Sequence, residues 1–203
     1  MKRKIICAAL ALGAILPATA AIAAAAGPAP QCADLLKAVP EKVGDLPLVK
    51  KDCKFITPEM AKTIHATAGA RYLEAYYEQK SPARYIRLQA SLGDPAVPDA
   101  KGNAEIIAKE KDNRKDAQTA LASGIPDAVK IGKDYMAHMR IVPLSHPEEA
   151  KLVWHEGPTP NAEVQGVADT GAFVSIEMSA ADVDGAVGTL NLINSSMKYA
   201  LLH

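Results

Sequence analysis

Polar and apolar residues alternate most strictly in ARYIRLQASLG, with Tyr85, Arg87, Gln89 and Ser91 on one face and Ile86, Leu88, Ala90 and Leu92 on the other. Period-two patterning of this kind predicts a strand with one buried side. The preceding stretch alternates from Ala70 to Tyr77 and carries Tyr72, Leu73, Tyr76 and Tyr77, so it predicts a second strand. The link Lys80-Ser81-Pro82 is short enough to make the two an antiparallel hairpin. In the C-terminal half KLVWHEG, AEVQGVAD and GAFVSIEMS read as strands, separated by Gly157 to Asn161 and by Asp169-Thr170-Gly171. A further strand is expected from Asp134 to Val142, followed by a hairpin-like region.

Helical spacing appears elsewhere. Leu35, Leu36 and Val39 share one face of a short first helix that Pro40 closes, and an extended run then leads into Phe55. Thr57-Pro58-Glu59 is a helix start, with a capping hydroxyl and a proline at the first helical position, for a brief helix to about His65. GDPAVPDAKGN is expected as a loop, and AEIIAKEKDNRKDAQTALASG as a helix with a solvated charged face that Gly124 stops. Ser179 to Asp182 resembles a capping box opening a helix to about Ile193, with a last helical turn from Ser195 to Leu202. Gly185 and Gly188 are expected to let that helix approach a sheet.

The N-terminus changes the picture. Lys2, Arg3 and Lys4 precede an apolar run from Ile5 to Leu16 and then small residues, which is the layout of a secretory signal peptide over residues 1–26. Small-x-small cleavage sites lie at Ala18-Thr19-Ala20 and Ala21-Ile22-Ala23, and the apolar run falls short of the roughly 20 residues of a membrane span. The expectation is a periplasmic or secreted protein with residues 27–203 as one domain and no span after signal removal. Without the leader, 20 basic residues stand against 23 acidic ones, a formal charge of −3. Nucleic acid is therefore not expected as a partner. Hydrophobic content of 49% leans on alanine, and aromatics make up only 4%, so a modest core is expected.

Candidate chemistry is sparse. Cys7 leaves with the leader, which makes Cys32 and Cys53 a structural clamp, a redox pair or part of a metal site. Their spacing is far from CxxC, and an oxidising compartment favours the clamp, closing a loop of about 22 residues. Met136, His138 and Met139 offer thioether and imidazole groups suited to copper, but neither a strand nor a helix gathers all three. His146 and His155, near Glu148, Glu149 and Glu156, suggest a zinc site or a dispersed hydrolase triad, without any HExxH or HxH spacing to fix ligands. No GxSxG elbow, GxxxxGK[ST] or GxGxxG occurs, so no cofactor is expected.

The element order, together with VPEKVGDLP (Val39–Pro47), ATAGARY, WHEG and AFVSIEMS, resembles a group of small secreted bacterial proteins with a Mog1/PsbP-like α+β sandwich layout. The resemblance implies an antiparallel sheet with helices packed on its faces and a binding or assembly role without catalysis. It departs from that pattern in the loop from Gly93 to Gly102 and in the Cys32 and Cys53 pair. The expected function is non-catalytic binding of an envelope protein or a small ligand. The alternatives are a copper- or zinc-handling protein using Met136, His138, His146 or His155, and a hydrolase.

Overall fold

Eight stretches of alternating side chains hydrogen-bond into one antiparallel sheet: β1 (Lys42–Val43), β2 (Leu46–Phe55), β3 (Arg71–Lys80), β4 (Ala83–Leu92), β5 (Met139–Ser145), β6 (Glu148–His155), β7 (Asn161–Val167) and β8 (Phe173–Ser179). The spatial order is β1-β2-β3-β4-β8-β7-β6-β5. Two runs of sequence-adjacent antiparallel strands, β1 to β4 and β5 to β8, are thus joined edge to edge where β4 meets β8, with Leu88 opposite Ile176 at the seam. The computed structural model describes residues 32–64 and 67–203. The expected leader and His65 lie outside the described residues. The fold is α+β, as the patterning predicts, and no helix among the described residues is long and apolar enough to cross a membrane.

Register decides which side chains share a face. Tyr77, Ile86, Met178 and Ala162 lie in one cross-strand row, and Ala75, Leu88, Ile176, Val164 and Leu152 in the next. All nine are 1% exposed or less. Helix α5 (Val183–Ser196) covers this face with Val183, Ala186, Leu190 and Ile193. Burial of such side chains contributes roughly 1.5–3 kcal/mol each. The Tyr77 hydroxyl donates to the Pro40 carbonyl at 2.9 Å, which satisfies its polar tip inside the core.

The short helix α1 (Cys32–Leu35) and a following 3-10 turn close one end of this layer, with Leu35 and Ala38 buried. Cys32 and Cys53 form a disulfide with Cα atoms 5.5 Å apart, tying α1 to β2. Helix α2 (Pro58–Ile64) starts as its sequence predicts, with the Thr57 hydroxyl accepting from the Met60 amide at 3.2 Å.

The polar face carries a helical hairpin, α3 (Ala100–Ala122) and α4 (Pro126–His138). Helix α3 begins earlier than the loop expectation because Asp99 caps it, its carboxylate accepting from the Gly102 amide at 2.8 Å. Gly124 follows the last turn at φ 70°, the left-handed conformation a glycine stop supplies. The two helices pack closely at Gly132, where a Cβ would lie 2.6 Å from the Ala117 carbonyl oxygen.

Three expectations are corrected. Residues 134–138 belong to α4 and the strand starts only at Met139, because Pro126 sets a helix that runs on until its last turn meets the sheet. Helix α5 is capped by Asp182, which accepts from the Gly185 amide at 2.7 Å, whereas Ser179 ends β8 and its hydroxyl accepts from the Tyr85 amide. Gly185 and Gly188 are both exposed, so they allow no close approach to the sheet.

Candidate functional site

Helices α3 and α4 reach only the β5–β7 end of the polar face. Among the described residues neither helix packs extensively on the rest of that face, over β2, β3, β4, β8 and part of β7. Register sorts its side chains into rows. One row holds Tyr72, Ser91, Phe173 and Val167, and the next holds Glu74, Gln89, Ser175 and Gln165. A third holds Tyr76, Arg87, Glu177 and Glu163. At its far end Asn161 stands opposite Ser179 and His155.

The first two rows, without Val167, and Glu163 of the third floor a groove of about 690 Å³ flanked by Asp52, Lys54 and Val97. A recess of about 230 Å³ adjoins it, sharing Gln89, Glu163 and Ser175 and adding Arg87, His155, Asn161 and Glu177. Together the linings hold Asp52, Glu74, Glu163 and Glu177 against Lys54 and Arg87, a formal charge of −2 with His155 neutral.

Each carboxylate on the floor is held by one oxygen. Arg87 donates through Nε at 2.9 Å and through a terminal nitrogen at 2.8 Å, both to Glu74 Oε1. The Tyr85 hydroxyl donates to Glu177 Oε1 at 2.8 Å, and Gln165 Nε2 to Glu163 Oε1 at 2.6 Å. The second oxygen of each has no protein partner among the described residues. At the other end of the groove the Tyr72 hydroxyl donates to Asp94 Oδ2. Partial burial, and then the adjacent carboxylates, push the Tyr72 and Tyr85 phenols up to about 12. Both are therefore neutral donors near neutral pH. The Glu163 and Glu177 backbones are direct cross-strand partners, which sets two carboxylates side by side.

The residues singled out in the sequence fall in separate places. Met136 and His138 sit in the last turn of α4, where His138 Nδ1 lies 2.7 Å from the Asp134 carbonyl oxygen. The His138 ring stacks on Trp154 with centroids 5.2 Å apart, and Trp154 Nε1 donates to the Ala180 carbonyl. His146 lies in the β5–β6 turn and His155 at the opposite end of β6, separated by roughly 23 Å of strand. The structure does not bring these four residues into one cluster. Among the described residues no three His, Cys, Asp or Glu side chains are placed to hold a metal ion. Ser145 accepts from the Asp169 amide at 3.0 Å, and no hydrogen bond joins it to His146 among the described residues. Of the four, His155 lines the recess and none lines the groove itself.

A larger cleft of about 1090 Å³ runs between edge strand β5 and the end of α5. An edge strand usually invites an added strand. Here the edge is blocked: Pro143 has no amide hydrogen, its carbonyl accepts from Asn194 Nδ2 at 2.8 Å, and the Met139 carbonyl accepts from Arg140 at 2.9 Å. The polar groove is thus the better-prepared surface. Sequence reasoning put Tyr85, Arg87, Gln89 and Ser91 on one face, but it did not join them to Glu74, Glu163 and Glu177, because that needs the β4–β8 seam between residues far apart in the chain.

Comparison with known proteins finds no matching family model, no matching curated protein and no matching solved structure.

Proposed function

We propose that the protein is an exported, non-catalytic binding protein of the periplasm or the secreted fraction, and that it recognises a small ligand on the uncovered polar face of its sheet. The observation that carries the reading is the continuous floor of half-engaged carboxylates, amides and aromatic rings over β3, β4, β8 and β7, reached through a groove of about 690 Å³. That volume falls within the usual range of small-molecule sites. The leader-like residues 1–26 and the Cys32–Cys53 disulfide support export. The resemblance to the Mog1/PsbP-like layout supports binding over catalysis by analogy.

The test is amide chemical-shift mapping of the purified protein against three chemically distinct probes: spermidine, maltotriose and tri-lysine. At least one is expected to shift amides of β3, β4, β7 and β8 saturably. Shifts confined to the cleft beside β5, or no shift with any probe, would contradict the proposal.

A further inference from the structure

The two edges of the sheet are finished differently. At β5 the Pro143 and Met139 carbonyls are taken by Asn194 and Arg140, and Pro143 brings no amide hydrogen. At β2 the short strand β1 covers only the start, and the last outward bond there runs from the Leu48 amide to the Glu41 carbonyl at 3.0 Å. Beyond it the ladder fixes which backbone groups face out. The Ile56 amide donates to the Ala70 carbonyl at 2.9 Å, so Lys54, Asp52 and Lys50, each two residues further back, also bond toward β3. Lys51, Cys53 and Phe55 therefore turn their amides and carbonyls outward. None of these groups has a hydrogen-bond partner among the described residues.

Three open rungs in a row are a template for an added strand. Lysines usually guard such an edge, and Lys50, Lys51 and Lys54 stand on this one. Asp52 among them makes the pattern self-complementary. When two β2 edges meet antiparallel about a two-fold axis, the register that uses all three rungs pairs Lys51 with the partner's Phe55 and Cys53 with the partner's Cys53. The same register sets Asp52 opposite the partner's Lys54, and Lys54 opposite the partner's Asp52, in pairs where side chains lie closest. Sliding by one rung sets Asp52 against the partner's Asp52 or Lys54 against the partner's Lys54, which is repulsive.

Two further observations agree with that register. Asp52 already faces Glu74 across the β2–β3 ladder, so a lysine arriving on its open side offsets that repulsion. Val49, Phe55 and Met60 are 58%, 51% and 38% exposed, large apolar side chains concentrated around this edge. The register carries Val49 to the end of the partner's strand that holds Phe55 and leads into α2. Helix α1, bonded to Cys53 through Cys32, packs over β2 and β3 on the core side.

We infer that the β2 edge seats a second copy of this chain, joined through Lys51, Cys53 and Phe55 into one two-fold sheet. The blocked β5 edge makes the pairing close as a dimer without propagating. A foreign strand needs only the rungs, whereas the reciprocal match of Asp52 and Lys54 is supplied by this chain itself. Because Asp52 and Lys54 also flank the polar groove, the dimer brings the partner's Asp52 and the partner's Lys54 beside it. The inference does not depend on that groove binding a ligand.

Sedimentation velocity of the purified protein between about 1 and 500 µM tests it, with a monomer–dimer equilibrium expected inside that range. Asp52→Lys and Lys54→Asp, each alone, set like charges across the seam and are expected to weaken the dimer tenfold or more. The two combined restore opposite charges and are expected to return the dimer to within threefold of the parent. Lys130→Asp, exposed on α4, makes the same charge change elsewhere and is expected to stay within twofold. Amide exchange at Lys51, Cys53 and Phe55 is expected to slow on dimerisation, and circular dichroism checks that each variant is folded. A monomer across the whole range, a combined variant as weak as the single ones, or unprotected β2 amides in a dimer overturns the inference. Capture of another protein's strand on these rungs by a chain that stays monomeric overturns it as well.

Discussion

The two sides of the sheet are covered in different ways. On the apolar side helix α5, with α1 at one end of the layer, places Ala186, Leu190 and Ile193 at 0% exposure over rows of Val, Leu, Ile and Ala. On the polar side the 23-residue α3 buries only Asn103, Ile107, Glu110 and Ala117, and two of those four are polar. Its hold on the sheet is a latch. Glu110 accepts from Lys151 of β6 at 2.8 Å and from the Tyr135 hydroxyl of α4 at 3.1 Å, while Asn103 donates to the Glu149 carbonyl at 3.1 Å. Dense apolar packing fixes the fold on one side, and directional polar contacts on the other leave part of a face open. The same strands therefore supply the core with one set of alternate residues and the candidate site with the other.

The largest effect is expected from Leu190→Ala, which opens a cavity in the sealed side. A loss of about 3 kcal/mol is expected in denaturant unfolding, within the usual range of about 2–5 for such a truncation. Next comes the disulfide, whose replacement by Cys32→Ser with Cys53→Ser frees the α1–β2 loop and costs about 3 kcal/mol or slightly less. Neither change touches the polar groove, so ligand-induced shifts on β3, β4, β7 and β8 are expected to survive both.

The latch gives a smaller, pH-dependent effect. Burial alone would raise the Glu110 carboxyl, but hydrogen bonds from Lys151, Asn113 and Tyr135 outweigh it and hold it below its ordinary value of 4.5. A carboxyl lowered in the folded state stabilises above its unfolded pKa and loses that contribution as pH falls through the folded one. Glu110→Gln is thus expected to cost about 1–2 kcal/mol at pH 7. The gap from the parent should shrink as pH drops below about 4.5, read from paired unfolding curves. The smallest stability effect belongs to the open side: Glu163→Gln with Glu177→Gln is expected within about 0.5 kcal/mol of the parent, because it removes like charges facing each other.

Much of this contrast was legible in the chain. The alternation of Ile86, Leu88 and Ala90 with Arg87, Gln89 and Ser91 announced both faces of β4, and GAFVSIEMS did the same for β8. Residues 134–138 look like strand in the sequence because Met136, Met139, Ile141 and Val142 form one apolar run across a helix-to-strand junction, where neither period is complete. The site was half legible: its polar residues are visible in each strand, but which part of the face stays open depends on where α3 and α4 land. That placement is set by Glu110 meeting Lys151 and by Gly132 meeting Ala117, contacts between residues far apart in the chain.

The division between the two sides is tested most directly by the shift in unfolding midpoint that a probe binding the polar face induces, measured in the parent, in Leu190→Ala and in the Glu163→Gln, Glu177→Gln double variant. A ligand that binds only the folded state raises the midpoint. The account predicts that Leu190→Ala lowers the midpoint but keeps the rise, while the double variant keeps the midpoint and loses the rise. A double variant that still responds fully to that probe, or that unfolds as readily as Leu190→Ala, would contradict it.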